Sequence, residues 1–414
     1  MNYCAKKVKV AVLFEEKITN GGGFVQSLNS ALLTKKIKNK NLEFIYLSTY
    51  KENIDLLKEY GLVPCFYFNE NLISKLKTLA LRLIKGTRIH QVFEQLNIFS
   101  SFENFLKLKG VDLVYFLSCS KKGLDLSLIN FIVTVWDISH LDEPEFPETR
   151  EKSIDYIRDK IIEPILKRST AILVDSNTSK KNITKRFHLD SDKINVIPYE
   201  ASNIVQNFDK SDYSIHAQKK ILNKYEINNP YIFYPAQFWA HKNHAYILYA
   251  LKDLKENFNT EIDVVFSGSD KGNLNYVLNL AKELKINKNV NYLGFVDNDE
   301  IPILYKNSIA LVMPSYFGPT NIPPIEALTL SVPIIYSDIK GAKEQLGSSA
   351  LFVNLSQPKE LSKAIYSLKN DQSLRSTLIN NGQLTLKNMM TKQERINRIE
   401  KIMINFFYKR LTWK

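Results

Sequence analysis

Short runs of apolar residues alternate with helix-length segments along most of the chain. Apolar runs rich in β-branched residues are typical of parallel strands that are buried on both faces of a sheet. Such runs occur at 8–14, 113–117, 231–234, 262–266 and 309–313. Segments with leucine or isoleucine at helical spacing stand between these runs. This alternation predicts an α/β protein built from doubly wound parallel (Rossmann-like) sheets.

The pattern divides into two halves. The chain has 414 residues, and because a domain usually has about 100–200 residues, it is long enough for two. We predict a first domain over 1–205, a polar linker over 206–228, in which 217–224 has a helical pattern, and a second domain over 229–390. Residues 391–414 are predicted to form a long amphipathic C-terminal helix.

Composition narrows the class of protein. The chain is 44% hydrophobic and 24% charged, which excludes disordered and fibrous classes. Its three cysteines, Cys4, Cys65 and Cys119, are far apart and odd in number, which disfavours a disulfide framework or a zinc site and favours a reducing cytoplasm. No apolar run approaches the roughly 20 residues that cross a bilayer, so we expect any membrane contact to be peripheral.

The formal charge of +13 favours an anionic partner. The lysines are scattered, without an arginine-rich track or a recognised nucleic-acid module, so we predict no nucleic acid. Peripheral contact with anionic inner-membrane lipid and a merely solvated lysine-rich surface both stay open. Residues 72–84 form a Leu/Lys helical pattern whose apolar stripe could pack internally or lie on a membrane. Core packing is the favoured interpretation.

The stretch 309–338 reads as strand, glycine-bearing loop, short helix and strand. Thr320 or Asn321 is predicted to cap the helix, which begins near Ile322. A helix that starts where a parallel strand ends points its free amides into the crevice at the carboxyl edge of the sheet, where phosphate binds well. Glu326, one turn into the helix, is placed to accept hydrogen bonds from a sugar or ribose hydroxyl.

The loop from Gly318 to Ala327, GPTNIPPIEA, followed by a Val-Pro-Ile-Ile strand, resembles the nucleotide-sugar site of family 4 retaining glycosyltransferases. The similarity extends over roughly 229–385 and is weaker in the first half. It implies the GT-B fold, in which two Rossmann-like domains face a cleft and a C-terminal helix crosses back to the first domain. The G-P-T-N variant resembles a bacterial polysaccharide-assembly subset of the family.

The resemblance also implies roles for individual residues. Lys242 would neutralise the donor diphosphate and Glu326 would bind the ribose, while the backbone around Thr320, Asn321 and Ile322 would contact phosphate or sugar. Gly268 would allow close approach of the nucleotide. Further candidates are His140 for the transferred sugar or acceptor and Gly22 and Gly23 for the donor phosphates or acceptor. On spacing alone, His140 could instead be a structural loop histidine, and the glycines a flexible connector.

Three positions depart from the family's pattern. Gly318 stands where the family has the first glutamate of a pair, Gln237 where it has an arginine, and Trp136 where it often has a histidine. Loss of the arginine should weaken stabilisation of the leaving group unless another cation replaces it. Gly318 and Gln237 remain donor-side candidates because the rest of both loops is kept.

The predicted function is transfer of a hexosyl unit from a nucleotide-diphosphate sugar to a glycan or lipid-linked saccharide in lipopolysaccharide or capsule biosynthesis. By family analogy the configuration is retained, and neither a metal ion nor a cofactor is expected. The predicted location is cytoplasmic, with peripheral contact at the inner membrane as an option. The alternative is a catalytically silent GT-B protein that binds nucleotide sugar or acts as a scaffold. A sugar-nucleotide epimerase is disfavoured because no carboxylate pair is evident at the crevice.

Overall fold

The computed structural model describes residues 7–17, 22–150, 154–209, 213–318 and 320–413. The described residues form two compact units. The first comprises those of Met1–Ile138, Lys152–Pro198 and Met390–Lys414, and the second those of Ser139–Glu151 and Tyr199–Met389. The segment 139–151, which follows a strand of the first unit in sequence, therefore belongs to the second unit, as do the described residues of the predicted linker.

The first unit is built on a parallel sheet. Its strands are β1 (Val8–Phe14), β2 (Leu42–Ser48), β3 (Cys65–Tyr67), β4 (Leu113–Phe116), β5 (Asn130–Val135), β6 (Ala171–Val174) and β7 (Ile194–Val196). They lie in the order β3-β2-β1-β4-β5-β6-β7, with Val10 of β1 opposite Phe44 on one side and Leu113 on the other. The central strands are buried almost completely, as their uninterrupted apolar sequences predict.

Helices connect these strands. They are α1 (Gly22–Lys35), α2 (Asn53–Glu59), α3 (Leu72–Ile84), α4 (Arg88–Gln95), α5 (Ser101–Leu108), α6 (Ile154–Arg168) and α7 (Asn177–Phe187).

The second unit repeats the architecture. Its strands are β8 (Tyr231–Pro235), β9 (Asp263–Ser267), β10 (Val290–Tyr292), β11 (Leu311–Met313), β12 (Ile334–Ser337) and β13 (Ala350–Val353), in the order β10-β9-β8-β11-β12-β13, all parallel. Its helices are α8 (Asn203–Gln206), α9 (Ile215–Lys224), α10 (His244–Phe258), α11 (Leu274–Glu283), α12 (Ile301–Asn307), α13 (Ile322–Thr329), α14 (Ala342–Leu346), α15 (Pro358–Asn370) and α16 (Gln372–Asn388). Both sheets have the doubly wound order, so the predicted fold class is confirmed.

The last helix, α17 (Lys392–Arg410), returns to the first unit. A capping box between Thr391 and Glu394 starts it. Ile399, Met403 and Phe407 are buried in the core that also contains the apolar side chains of α1. Arg398 donates to the carbonyl of Val196 at 2.8 Å. The C-terminal helix thus packs on the first domain, as the fold class implies.

The prediction that the apolar stripe of 72–84 packs into the core is wrong. Leu72, Ile73, Leu76, Leu79 and Leu83 of α3 are all at least half exposed. Thr78, on the opposite face, is buried. The helix is amphipathic, but its polar face points inward. Among the described residues, no helix is both long enough and apolar enough to span a membrane.

His244 predicts a pH dependence of stability in the second unit. Its side chain is 0% exposed, and its ring is stacked on Phe238 with centroids 4.1 Å apart. Burial, together with the nearby positive charges of Lys242 and His241, lowers the pKa of His244 to about 3. Below a pH of about 6.5, His244 binds a proton in the unfolded chain. In the folded chain it does so only near pH 3. We therefore expect the free energy of unfolding to fall by up to about 1.4 kcal/mol per pH unit between those two values.

Melting temperatures between pH 7.5 and pH 4.5, measured for wild type and for His244→Phe, test this prediction. The substitution keeps an aromatic ring in the stack but removes the titration, so part of the acid-induced loss should disappear. His216→Phe, at an exposed histidine, is the matched control and should behave as wild type. Identical pH profiles for all three proteins would contradict the assignment.

Candidate functional site

The second sheet reverses its strand order between β8 and β11. The loops after two such strands leave toward opposite faces, so a crevice opens between them at the carboxyl edge, where doubly wound proteins bind ligands. The loop 236–243 follows β8, and the loop 314–321 follows β11. Gln237 and Lys242 stand on the first loop, and Gly318 and Asn321 on the second. The fold thus brings these predicted donor-side residues to one edge.

Gly318 has a backbone conformation that side chains disfavour. Its φ is +99°, in the left-handed region, and a Cβ atom there would lie 2.9 Å from Nδ2 of Asn321. The same amide nitrogen donates to the Gly318 carbonyl at 3.2 Å and to the Tyr336 hydroxyl at 2.6 Å. A glutamate at this position would need a different loop backbone. The glycine that replaces the family's first glutamate is therefore required by the backbone conformation of this loop.

Asn321 is the N-cap residue of α13, but its side chain makes no capping hydrogen bond to the helix. Thr320 precedes the N-cap position. The side chain of Asn321 is instead used within the loop. Its backbone N–H donates to Oε1 of Gln345 at 3.1 Å, and Nε2 of Gln345 donates back to the Asn321 carbonyl at 2.6 Å. Pro323 and Pro324 have no N–H. The first turn therefore offers a ligand the amide of Ile322, because the N–H of Ile325 is the first that the helix itself uses.

Glu326 is buried under the helix start. Its Oε1 accepts from the backbone N–H of Ser202 at 3.3 Å and its Oε2 from the Tyr305 hydroxyl at 3.1 Å. Burial raises the pKa of Glu326, and these hydrogen bonds oppose the rise. A carboxylate has about four lone-pair positions, so the donors of Ser202 and Tyr305 leave acceptor capacity for a hydroxyl group.

Gly268 brings the loop after β9 against the loop after β8. Its φ is +142°, and a Cβ atom there would lie 2.4 Å from the Ala236 carbonyl oxygen. Only glycine fits this approach. On the neighbouring loop, Oε1 of Gln237 accepts from the Trp239 indole at 3.0 Å. The residue at the family's arginine position thus orients an aromatic ring.

Lys242 ends a short 3₁₀ turn, Ala240–Lys242, just before α10. The Tyr234 hydroxyl donates to its carbonyl at 2.9 Å. Asn243 follows with a φ of +54°, which turns the chain into the helix. The half-buried lysine is therefore carried on a backbone that is held from β8 and from α10.

His140 lies in a 3₁₀ turn, Ser139–Leu141, on the segment 139–151 of the second unit. Further along this segment, Oε1 of Glu148 accepts from the backbone N–H of His241 at 2.9 Å and lies 2.5 Å from its Nδ1. Burial opposes ionisation of Glu148, but the hydrogen bonds from His241 outweigh it and hold the pKa of this carboxyl below its usual value. The segment that carries His140 is thus joined to the Lys242 loop.

His241 is the residue at which three segments meet. Its ring stacks on Phe317 with centroids 3.9 Å apart, and its carbonyl accepts from the Tyr316 N–H at 2.9 Å. Phe146 packs edge-on against Phe317. The sequence analysis did not assign Glu148, Phe146 or Phe317 to the site. The signal available in the sequence was the Pro147-Glu148 pair, which follows the segment that contains Trp136 and His140.

Gly22 and Gly23 are the first residues of α1 in the first unit. The sequence analysis left open whether these glycines bind a ligand or form a flexible connector, and residues 18–21, which precede them, lie outside the described residues. A Cβ atom on Gly23 would lie 3.0 Å from the ring of Trp136. The tryptophan at the family's histidine position therefore lies against Gly23, the second residue of the helix.

The first sheet has a switch point of its own, between β1 and β4. Glu15 and Glu16 follow β1, and burial raises the pKa of both. The Ser120 side chain, just beyond β4, hydrogen-bonds the Glu15 carboxyl and opposes the rise. The sequence analysis did not assign these glutamates to the site, although a position after a first parallel strand is itself a signal for a site.

The second half of the chain is similar in sequence to known proteins. Residues 216–385 match the family model described as Glycosyl transferases group 1. The O-antigen chain mannosyltransferase RfbU of Salmonella typhimurium is 33% identical over 207 residues, which are 49% of this chain and 52% of that protein. The capsular polysaccharide biosynthesis glycosyltransferase CapH of Staphylococcus aureus is 29% identical over 250 residues, 59% of this chain and 64% of that protein. The chain thus spans half to two thirds of these relatives.

Solved structures resemble the whole fold. A glycosyltransferase from Rickettsia africae ESF-5 superposes with a TM-score of 0.68 at 19% identity and covers 96% of this chain and 97% of that one. Anabaena HepE in complex with UDP-glucose gives a TM-score of 0.69 at 14% identity, with 96% and 99% covered. The chain therefore has the GT-B fold, and Lys242, Gly268 and the loop from Gly318 to Glu326 lie within the stretch that matches the Glycosyl transferases group 1 model.

Proposed function

We propose that this chain is a retaining glycosyltransferase that moves a hexosyl unit from a nucleotide-diphosphate sugar to a glycan or lipid-linked saccharide of a lipopolysaccharide or capsule. One observation carries the proposal. The loops after β8, β9 and β11 lie at the carboxyl edge of one sheet, and all three fall within the stretch that matches the glycosyltransferase family. The relatives named for O-antigen and capsule synthesis support the polymer class.

In this proposal the donor diphosphate lies between the Lys242 loop and the start of α13. As the bond between the sugar C1 and the phosphate oxygen breaks, negative charge develops on the departing nucleotide diphosphate. Lys242 and the amides at the helix start meet that charge. The acceptor oxygen bonds to C1 on the same face, and its proton passes to a donor phosphate oxygen. His140 is assigned to the transferred sugar or the acceptor.

Glu326 is assigned to the ribose. Its carboxylate is already oriented by Ser202 and Tyr305, so it can accept ribose hydroxyls without reorganisation. Backbone amides or the side chains of Thr320 and Asn321 take the place of the carboxylate that Gly318 lacks. Gly22 and Gly23, on the first unit, remain candidates for the donor phosphates or the acceptor, and neither a metal ion nor a cofactor is assigned.

A silent nucleotide-sugar-binding protein is the second candidate, and two observations favour it. The backbone of Gly318 excludes the family's first glutamate, and Gln237, at the arginine position, is engaged with Trp239. Either feature would lower catalysis while leaving the nucleotide pocket intact. Turnover separates the two functions.

The deciding experiment incubates the purified protein with GDP-mannose, UDP-N-acetylglucosamine, UDP-glucose, UDP-galactose, GDP-fucose and dTDP-rhamnose, with and without a chelator. Release of nucleotide diphosphate from one donor, unchanged by chelator, is expected of a metal-independent transferase. Loss of turnover with chelator would overturn metal independence alone. Binding without turnover, even with lipid-linked acceptors present, would establish the silent protein instead.

Lys242→Ala should lower kcat by about a hundredfold, because a preorganised cation at a departing phosphate contributes a few kcal/mol to the transition state. Steady-state kinetics with the identified donor measures the effect. Lys282→Ala, at an exposed lysine in the last turn of α11, is the control and should keep wild-type rates. A change in KM with kcat unaltered would limit Lys242 to ground-state binding.

Glu326→Ala should weaken donor binding about tenfold or more, because hydrogen bonds to a carboxylate contribute roughly 1.5–3 kcal/mol. It should also destabilise the fold, since Ser202 and Tyr305 lose their acceptor. Tyr305→Phe separates these effects by removing one protein hydrogen bond while leaving the carboxylate. Calorimetric titration with nucleotide diphosphate, alongside melting temperatures, provides both readouts. Equal losses of affinity in the two variants would make Glu326 a structural residue.

Glu148→Ala should lower transfer about tenfold by releasing the His241 backbone and ring, which position the Lys242 and Phe317 loops. Glu148→Gln keeps an oxygen acceptor and should restore most of the rate, which a role in acid–base chemistry would not allow. Glu145→Ala, an exposed neighbour on the same segment, is the control. Unchanged kinetics in Glu148→Ala would show that the loops hold their positions without it.

A further inference from the structure

Helix α3 is turned with its apolar face to the outside. Leu72, Ile73, Leu76, Leu79 and Leu83 lie on this outer face, and the exposed fraction is 58% for Leu76 and 78% for Leu83. Soluble proteins expose single apolar residues routinely, but a contiguous stripe of this kind marks an interaction surface.

Polar contacts fix this orientation. The Thr78 hydroxyl donates to Glu70 at 3.1 Å, and the guanidinium of Arg82 pairs with both oxygens of the buried Asp125. Lys85 reaches the Leu126 carbonyl at 2.8 Å, and burial lowers its pKa to about 8. Rotating the helix so that its leucines face the core would separate these polar groups from their partners. It would also leave buried charges without a counter-charge, which is costly. The apolar face is therefore held outward by its own polar side.

Helix α4 adds a second apolar strip. Ile89, Val92 and Leu96 are each more than half exposed, whereas His90 faces inward. The Thr87 hydroxyl caps this helix, and α3 and α4 pack against each other. We call the exposed apolar residues of both helices the outer face.

The charge around the outer face has one sign. Between 71 and 96 the chain has five basic residues and one acidic residue, Glu94, whose carboxylate lies 3.4 Å from Nδ1 of the inward-facing His90 rather than on the outer face. Since successive helical residues are about 100° apart, Lys75 and Lys77 flank the leucine stripe on its two sides, and both are exposed, as is Arg88. Leucines bordered by lysines are the arrangement by which amphipathic helices lie in the interface of an anionic bilayer.

Other occupants fit less well. A second copy of the chain would bring like charges together across the leucine stripe, which costs energy. Nucleic acid would find cations but would leave the leucines in water. An anionic lipid surface satisfies both features, because acyl chains cover the leucines while lysine stems reach the headgroups.

We propose that the outer face of α3 and α4 is a docking surface for an anionic lipid bilayer. The chain lies on the membrane with the two helices at the headgroup level. This inference rests on exposure, charge and helix orientation in the first unit, and does not depend on the proposed transfer reaction.

The test is flotation of the full chain with vesicles of phosphatidylcholine alone or mixed with phosphatidylglycerol. Wild type should float with the anionic vesicles and be released from them by salt. Leu76→Glu combined with Leu83→Glu should lower the partition coefficient at least about tenfold, since it removes two buried leucines and adds repulsion. Lys75→Glu with Lys77→Glu should abolish the preference for anionic vesicles.

Leu384→Glu, at a leucine that is 60% exposed on α16, is the matched control and should bind as wild type. Circular dichroism and melting temperatures verify that the variants fold, which their exposed positions predict. Hydrolysis of the donor without vesicles should be unchanged in the leucine variant, so failure of the transferase proposal is separately visible. Equal flotation of variant and wild type would overturn the inference. The inference would also fail if light scattering showed that wild type self-associates and the leucine variant does not, because the outer face would then be an interface between copies of the chain.

Discussion

The hydrogen bonds between Glu148 and His241 are the contact on which the proposed donor site depends. Glu148 holds the backbone and ring of His241, and His241 in turn holds Tyr316 through its carbonyl and Phe317 through its ring. The half-buried setting strengthens these bonds, because little water competes for either partner. Through them, three segments that are distant in sequence share one arrangement. The proposed roles of Lys242 and the loop from Gly318 to Glu326 require that arrangement.

The departures from the family's pattern have structural counterparts. Gly318 is tied to a left-handed backbone and to the Asn321 amide. Gln237 is tied to the Trp239 indole, and Trp136 to the glycine at the start of α1. Each residue that departs from the family's pattern thus makes a specific contact with its neighbours, as expected where a loop has a function. The proposed function assigns that task to donor binding through backbone and amide groups.

Helix α3 shows how a correct element can carry a wrong interpretation. The apolar periodicity of 72–84 predicts an amphipathic helix, and the helix is there. Periodicity gives the angle between the two faces but does not say which one meets the core. That choice depends on Glu70, which accepts a hydrogen bond from Thr78, and on Asp125, which accepts from Arg82. Glu70 is 8 residues from Thr78 in sequence, whereas Asp125 is 43 residues from Arg82. A sequence pattern contains no information on such pairings.

The sequence by itself determined the strands, the doubly wound class and the donor-side loops, because buried parallel strands require uninterrupted apolar runs and their ends must carry the site. The resemblance to the glycosyltransferase family, rather than strand position alone, then proposes Lys242, Gly268 and Glu326 as donor-binding residues. Only the tertiary structure decided that Asn321 serves the loop and Gln345 rather than capping α13, and that Glu148 belongs with His241. It also decided that α3 faces outward. Local sequence sets backbone preference and periodicity, whereas partners for polar groups are chosen among residues that only folding brings together.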